Sequence, residues 1–163
     1  MAKKEDKASE KTNVMRLLDA AGISYSHYCY ADTDAVSGVE VAAVLGEDPE
    51  QVFKTLVTRG RTGQLYVFVI PVAEELDLKK AAHAAGEKSI EMIKSRELLP
   101  LTGYIHGGCS PIGMKKQYPT FIDETVELLD TFLFSAGKIG YQVEVAPEDL
   151  RRVVDYQTAD LTV

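Results

Sequence analysis

The stretch FKTLVTR-GRTG-QLYVFVIP, residues 53–71, constrains the fold more than any other part of the chain. Two runs rich in β-branched and aromatic residues flank four turn-forming residues, which is the pattern of a β-hairpin. A hairpin requires an antiparallel strand pair, and a strictly alternating doubly wound βα fold supplies none. The flanking segments agree. YSHYCY (25–30), KSIEMI (88–93), PTFID (119–123), TFLFS (131–135) and YQVEV (141–145) read as further short strands, the last two paired around AGKIG. Helices fall between them. Thr12 or Asn13 caps a first helix, which lays Val14, Leu17, Leu18 and Ala21 on one face and ends at Gly22. Ser37 and Glu40 form an S-x-x-E capping box ahead of Val41, Val44 and Leu45. Asp48–Pro49 reads as another helix start, with proline at the first position. Asp77 caps LKKAAHAA and Gly86 closes it. Ser95 opens a helical turn that Pro100 stops, Asp123 caps a short ETVELL segment, and Pro147 opens a last helix through EDLRRVV. The expected fold is α/β: a mixed sheet, curled or closed into a barrel, with helices packed outside.

A chain of 163 residues suits one domain, and 45% hydrophobic with 26% charged residues suits a globular protein with a real core. The two cysteines, Cys29 and Cys109, form no CxxC and no Cys/His ladder, which fits a reducing cytoplasm. MAKKEDKASEK carries charges with no apolar run behind them, so it reads as a solvated tail, not a signal peptide or an anchor. LYVFVIPVA is too short to span a bilayer. A formal net charge of −7 argues against charge-driven nucleic-acid binding, but leaves room for a local basic patch that meets one phosphate group.

Chemistry-bearing residues are sparse. The loop GGCSPIGMKK, 107–116, cannot settle into a regular helix or a central strand. Gly107 and Gly108 can take positive φ, and Pro111 holds Ser110 extended. Such a loop either connects two strands tightly or aims several N–H groups at one oxygen. Lys54, inside FKTLV, points to the opposite face from Phe53 and Thr55 by strand alternation. It is either a snorkelling edge lysine or an ammonium held in a cleft to meet a phosphate or a carbonyl oxygen. Cys109 reads as a small semi-buried thiol in preference to a nucleophile, although His106 is three residues away. His27, His83 and His106 have no metal-ligand spacing, and no carboxylate pair stands out. No metal and no cofactor are expected. Lys115–Lys116 and Arg151–Arg152 read as solvated faces, with contact to a nucleic-acid backbone the second reading.

Read in order, the N-terminal helix, YCYAD, the capping-box helix, VFKTLV, the hairpin, LDLKKAA, TGYIHGGCSPIGMKK and SAGKIGYQVEVAPEDL resemble the YbaK/EbsC family. These proteins are similar to the editing domain inserted in bacterial prolyl-tRNA synthetases. The resemblance spans roughly residues 12–155. It divides the chain into a flexible tail, 1–11, and one editing domain, 12–163. It implies a mixed, mostly antiparallel β-barrel of six or seven strands surrounded by helices. The implied activity is a trans-editing deacylase that cleaves the ester of mischarged Cys-tRNA(Pro), and of Cys-tRNA(Cys), by attack of the substrate's own thiol. The alternatives are a water-using Ala-tRNA(Pro)-type deacylase and a non-catalytic aminoacyl-tRNA-binding module. Lys54 matches the family's key lysine, near the terminal adenosine and its phosphate. Tyr30, Thr55, Gly107, Gly108, Cys109, Ser110, Pro111 and Ser135 are the implied substrate-binding set. Gln142 falls where some relatives carry an acid and is left out of that set. The implied partners are the acceptor end of a mischarged tRNA and prolyl-tRNA synthetase, in the cytoplasm, with no membrane and no DNA.

Overall fold

The computed structural model describes residues 11–163. The tail expected over 1–11 lies outside the described residues except for Lys11, whose ammonium pairs with Asp19. Among the described residues there are five α-helices and eight strands in two sheets. The expected hairpin is the spine of the larger sheet. β2 (Phe53–Gly60) and β3 (Leu65–Pro71) pair antiparallel from Phe53↔Pro71 to Arg59↔Leu65. The turn is closed by the Gly60 N–H donating to the Gln64 carbonyl at 2.8 Å. β4 (Ile90–Met92) adds antiparallel to the far end of β2, at Thr58–Gly60. β5 (Thr120–Asp123) then lies parallel to β3, and β8 (Tyr156–Ala159) parallel to β5, giving the order β4-β2-β3-β5-β8. The smaller sheet is antiparallel, β1 (Ser26–Cys29), β7 (Tyr141–Val145) and β6 (Phe132–Ser135) in the order β1-β7-β6.

The main core lies between the sheets. Phe53, Val57, Val67, Val69 and Ile122 of one face Phe132, Phe134, Val143 and Val145 of the other. The Phe53 and Phe132 rings meet edge to face at 5.2 Å, a favoured aromatic arrangement. α1 (Asn13–Ala20) closes this core with Val14, Met15 and Leu18. On the outer face of the large sheet, α3 (Leu78–Ala85) packs Ala81 and Ala82 against Phe68, Ile70 and Phe121. α2 (Gly38–Leu45) covers the outer face of the small sheet, where Ala42 meets Leu133 and Val41 meets Tyr30.

Several expectations are corrected. The sheets do not close into one six- or seven-stranded barrel. Outside the named strands they are joined by a single parallel bridge, Val52↔Leu133. The eighth strand, YQTA, has too few apolar residues to be read from periodicity, and it is held by its parallel ladder on β5. On α1 the buried face is Val14, Met15 and Leu18, while Leu17 is exposed; Val44 of α2 is exposed as well. Asp48–Pro49 starts no helix. The Asp48 carboxylate instead accepts from the Glu50 N–H at 2.9 Å in a tight turn, because the β-forming run from Val52 takes over at once. Pro100 does not stop α4 (Ser95–Thr102). Beyond the proline the last turn is still hydrogen-bonded: the Thr102 hydroxyl donates to the Leu98 carbonyl at 2.7 Å and the Gly103 N–H to the Leu99 carbonyl at 2.8 Å. The last helix is a single turn, α5 (Pro147–Leu150), continued by turn bonds such as Arg152 N–H to the Asp149 carbonyl and Val154 N–H to the Leu150 carbonyl.

Candidate active site

Between the Val52↔Leu133 bridge and the β4 ladder that begins at Thr58, β2 has no strand on its outer side. A cavity of about 310 Å³ opens in that gap, within the size range of small-molecule sites. Four consecutive residues, Phe53, Lys54, Thr55 and Leu56, line it. Strand alternation alone would give it only every second residue. The gap exposes the strand edge, so both faces contribute.

Lys54 therefore reaches the cavity. Burial pushes its ammonium below the ordinary lysine value, and the Glu75 and Glu74 carboxylates act in the opposite sense. Beside it the Thr55 hydroxyl is buried with no hydrogen-bond partner among the described residues. An unsatisfied hydroxyl in a cavity wall is costly to leave alone and is available to a ligand.

The opposite wall is the 104–113 loop, clamped at both ends. The Tyr104 hydroxyl donates to the Ile112 carbonyl, and the Thr102 hydroxyl accepts from the Tyr104 N–H at 3.0 Å. Gly107 takes φ +88°, a region that suits glycine, and lines the cavity. Gly108, expected to be able to share that freedom, does not use it. It is needed because a Cβ there would lie 3.1 Å from the Ile139 nitrogen. Its N–H is already spent on the Ile105 carbonyl at 2.9 Å. Among the described residues, the N–H groups of the cavity-lining loop residues His106, Gly107 and Cys109 have no acceptor, so these main-chain donors remain for a ligand.

The sequence-selected residues divide accordingly. Tyr30, Lys54, Thr55, Gly107, Cys109 and Ser135 come together around the cavity; Gly108, Ser110 and Pro111 do not line it. Ser110 is fully buried, and its hydroxyl accepts from the Ile112 N–H at 3.3 Å, a loop-shaping role. Burial pushes the Cys109 thiol up to about 12, which works against the thiolate that a nucleophile needs. Burial also raises the Tyr30 phenol.

The residue reading missed the first turn of α2. Ser37, Gly38, Val39 and Val41 line the cavity, with the capping box intact: the Ser37 hydroxyl accepts from the Glu40 N–H, and the Glu40 carboxylate from the Ser37 N–H. The S-x-x-E pattern marked the helix start but carried no sign of where that start would lie. His106 and Gln142 also face the cavity. Among the described residues no group of three or more His, Cys, Asp or Glu is placed to hold a metal ion, and no helix is long and apolar enough to cross a membrane.

A two-sheet α/β domain with a lysine, a clamped glycine loop and a pocket at the sheet junction defines the class, and comparison with known proteins gives the family. Residues 32–153 match the aminoacyl-tRNA editing domain, and the chain belongs to that family. It is 45% identical, over 99% of its length and 98% of the relative's, to an Enterococcus faecalis protein assigned by name as the Cys-tRNA(Pro)/Cys-tRNA(Cys) deacylase EbsC. A proline–tRNA ligase of Shouchella clausii is 30% identical over 72% of this chain, a match that occupies 20% of the ligase. Among solved structures, one assigned as a trans-editing enzyme for prolyl tRNA synthetase superposes with a TM-score of 0.79. It is 26% identical, and the match covers 92% of this chain and 94% of that one.

Proposed function

We propose that this chain is an aminoacyl-tRNA deacylase that removes cysteine from Cys-tRNA(Pro), and from Cys-tRNA(Cys), leaving free tRNA. The observation that carries this reading is the near full-length similarity to a relative named for that activity, in a chain whose cavity is lined by the lysine and glycine loop of the family pattern. Lys54 anchors the acceptor end at the terminal adenosine and its phosphate. The Gly107 and Cys109 N–H groups polarise the ester carbonyl, and the Thr55 hydroxyl supplies a further polar contact.

The nucleophile belongs to the substrate. The cysteinyl sulfur attacks its own ester carbonyl carbon, and the thiol proton passes to the departing ribose oxygen. The C–O bond to the ribose breaks, releasing tRNA and a small cyclic thioester, which water opens to cysteine. An intramolecular nucleophile reaches an effective molarity on the order of 10⁵ M or more, less what ring strain takes back. A site of this kind needs no triad and no carboxylate pair, and a Cys109 thiol pushed up by burial is consistent with that.

The test is a deacylation panel on Cys-tRNA(Pro), Ala-tRNA(Pro) and Pro-tRNA(Pro). The expected result is loss of the Cys ester well above buffer with little change in the other two. Activity confined to the Ala ester identifies water as the nucleophile, and no activity on any ester identifies a binding module. We further propose that the protein works beside prolyl-tRNA synthetase, in the cytoplasm, as the similarity to domains within proline–tRNA ligases supports.

A further inference from the structure

Exposed apolar side chains are unevenly spread. Of the eleven large ones among the described residues, four gather at the mouth of the cavity: Val36, Val39, Ile105 and Ile139. Val36 and Val39 line the cavity directly. Ile105 immediately precedes the lining residues His106 and Gly107. Ile139 lies against the same loop, where a Cβ on Gly107 would fall 3.5 Å from its Cγ1. Val36 is 81% exposed, Ile105 and Ile139 are 50% exposed, and Val39 is 45% exposed. Single apolar residues on a surface need no explanation, but a group of them around a cleft marks a contact surface.

The four are held in place. The Glu40 carboxylate accepts from the Val36 and Ser37 N–H groups at 3.1 and 2.9 Å, which fixes the approach to α2. The Ile105 carbonyl accepts from the Gly108 N–H at 2.9 Å. Ile139 sits in the turn between β6 and β7, which the Tyr141 N–H closes on the Lys138 carbonyl at 3.2 Å. That turn abuts the segment leading to Val36, since a Cβ on Gly140 would fall 2.7 Å from the Ala31 Cβ. The rim is thus built from three segments that brace one another.

We propose that Val36, Val39, Ile105 and Ile139 form a collar that holds the terminal nucleobase of the tRNA. This rests on the deacylase reading above. The ester oxygen of the aminoacyl group belongs to the terminal ribose, so an aminoacyl group inside the cavity brings ribose and base to its mouth. A base is apolar on both faces and polar only at its edge, which suits aliphatic side chains that offer no hydrogen bonds. Lys54 meets the charge of the terminal nucleotide, and the collar meets its base. A protein partner or a second copy of the chain seated on these residues would cap the mouth through which the substrate enters, so the surface belongs to the substrate itself.

The experiment compares Cys-tRNA(Pro) with a form whose terminal nucleotide keeps its ribose and phosphate but carries hydrogen in place of adenine. Each rate is divided by that substrate's rate in buffer. The wild-type protein is expected to favour the adenine form by about tenfold or more in kcat/KM, roughly 1.4 kcal/mol. Val36→Ser, Ile105→Ser and Ile139→Ser each shorten an exposed side chain. Each alone is expected to lower the preference, and the three together to bring it close to one. A preference that survives in all of these variants, or a loss shared equally by the two substrates, overturns the collar. If the wild-type protein cleaves both esters alike, the collar falls and the deacylase reading stands. If it cleaves neither, the deacylase reading falls and the collar falls with it.

Discussion

Lys54 and Cys109 carry the sharpest tests at the scale of single residues. Lys54→Ala removes the one lysine or arginine among the described residues that line the cavity and is expected to lower kcat/KM on Cys-tRNA(Pro) by about a hundredfold or more, roughly 2.7 kcal/mol. Survival of the activity contradicts the role given to Lys54. Cys109→Ser is expected to keep activity within a few-fold. At pH 8 the folded protein is expected to leave Cys109 unlabelled by iodoacetamide, since burial holds the thiol up at about 12, and to expose it in denaturant. Prompt labelling read by mass spectrometry would refute its burial. Residue types alone made Cys109 conspicuous, because a sequence shows a thiol but not the apolar shell that buries it. Lys54 was legible only in company with the glycine loop. The collar of Val36, Val39, Ile105 and Ile139 was not legible at all, because its members come from distant segments that meet only when α2 folds over the small sheet.

Elements were legible where local chemistry decides them. The capping box of α2, the Asp77 cap and Gly86 stop of α3, and the alternation of the β2–β3 hairpin lie where the sequence pattern puts them. They failed at Pro100, which α4 runs through with its last turn still hydrogen-bonded, and where tertiary context decides, at β8, which needs β5 to exist as a strand. The seat of α2 gives a test at this scale. A Cβ on Gly38 would fall 2.4 Å from Val72 Cγ1, so Gly38→Ala must push the helix start off the end of β3. Overpacking of this kind costs about 1–3 kcal/mol. A lowered Tm together with weakened Cys-tRNA(Pro) cleavage is expected, because the same turn of α2 lines the cavity. A melt identical to that of the wild-type protein would show that Val72 yields freely.

The whole molecule has an alkaline weakness. Burial, helped by carboxylates beside the first three, raises Tyr25, Tyr28, Tyr66 and Tyr104 from 10.0 to about 12, and burial raises Cys109 from 9.0 to about 12. Each is an acid whose folded value lies above its unfolded one. The stability they supply is therefore complete below pH 9 to 10 and is lost as pH climbs toward 12. Lys54, with its value lowered, has the opposite sign, but it is a single group against these five, with Tyr30 and Tyr156 raised as well. Urea melts are expected to show a midpoint at pH 11 well below that at pH 8, and equal midpoints would contradict these shifts. Charge sets a second expectation at this scale. With a net charge of −7, the isolated protein is expected to bind tRNA weakly, with a shallow salt dependence and no preference for tRNA(Pro). Tight, selective binding of tRNA(Pro) at physiological salt, measured by filter binding, would show that it needs no synthetase to choose its tRNA.

The gap along β2 bears on how such a protein diversifies. Phe53 to Leu56 are held by β3 on one side and left unpaired by any strand on the other, and the facing wall is a loop and the first turn of a helix. Loop and helix-start residues there can be exchanged without breaking a ladder between strands. Substrate choice can thus drift while the scaffold is conserved, and a lineage can acquire a new amino-acid preference by a few substitutions along one seam.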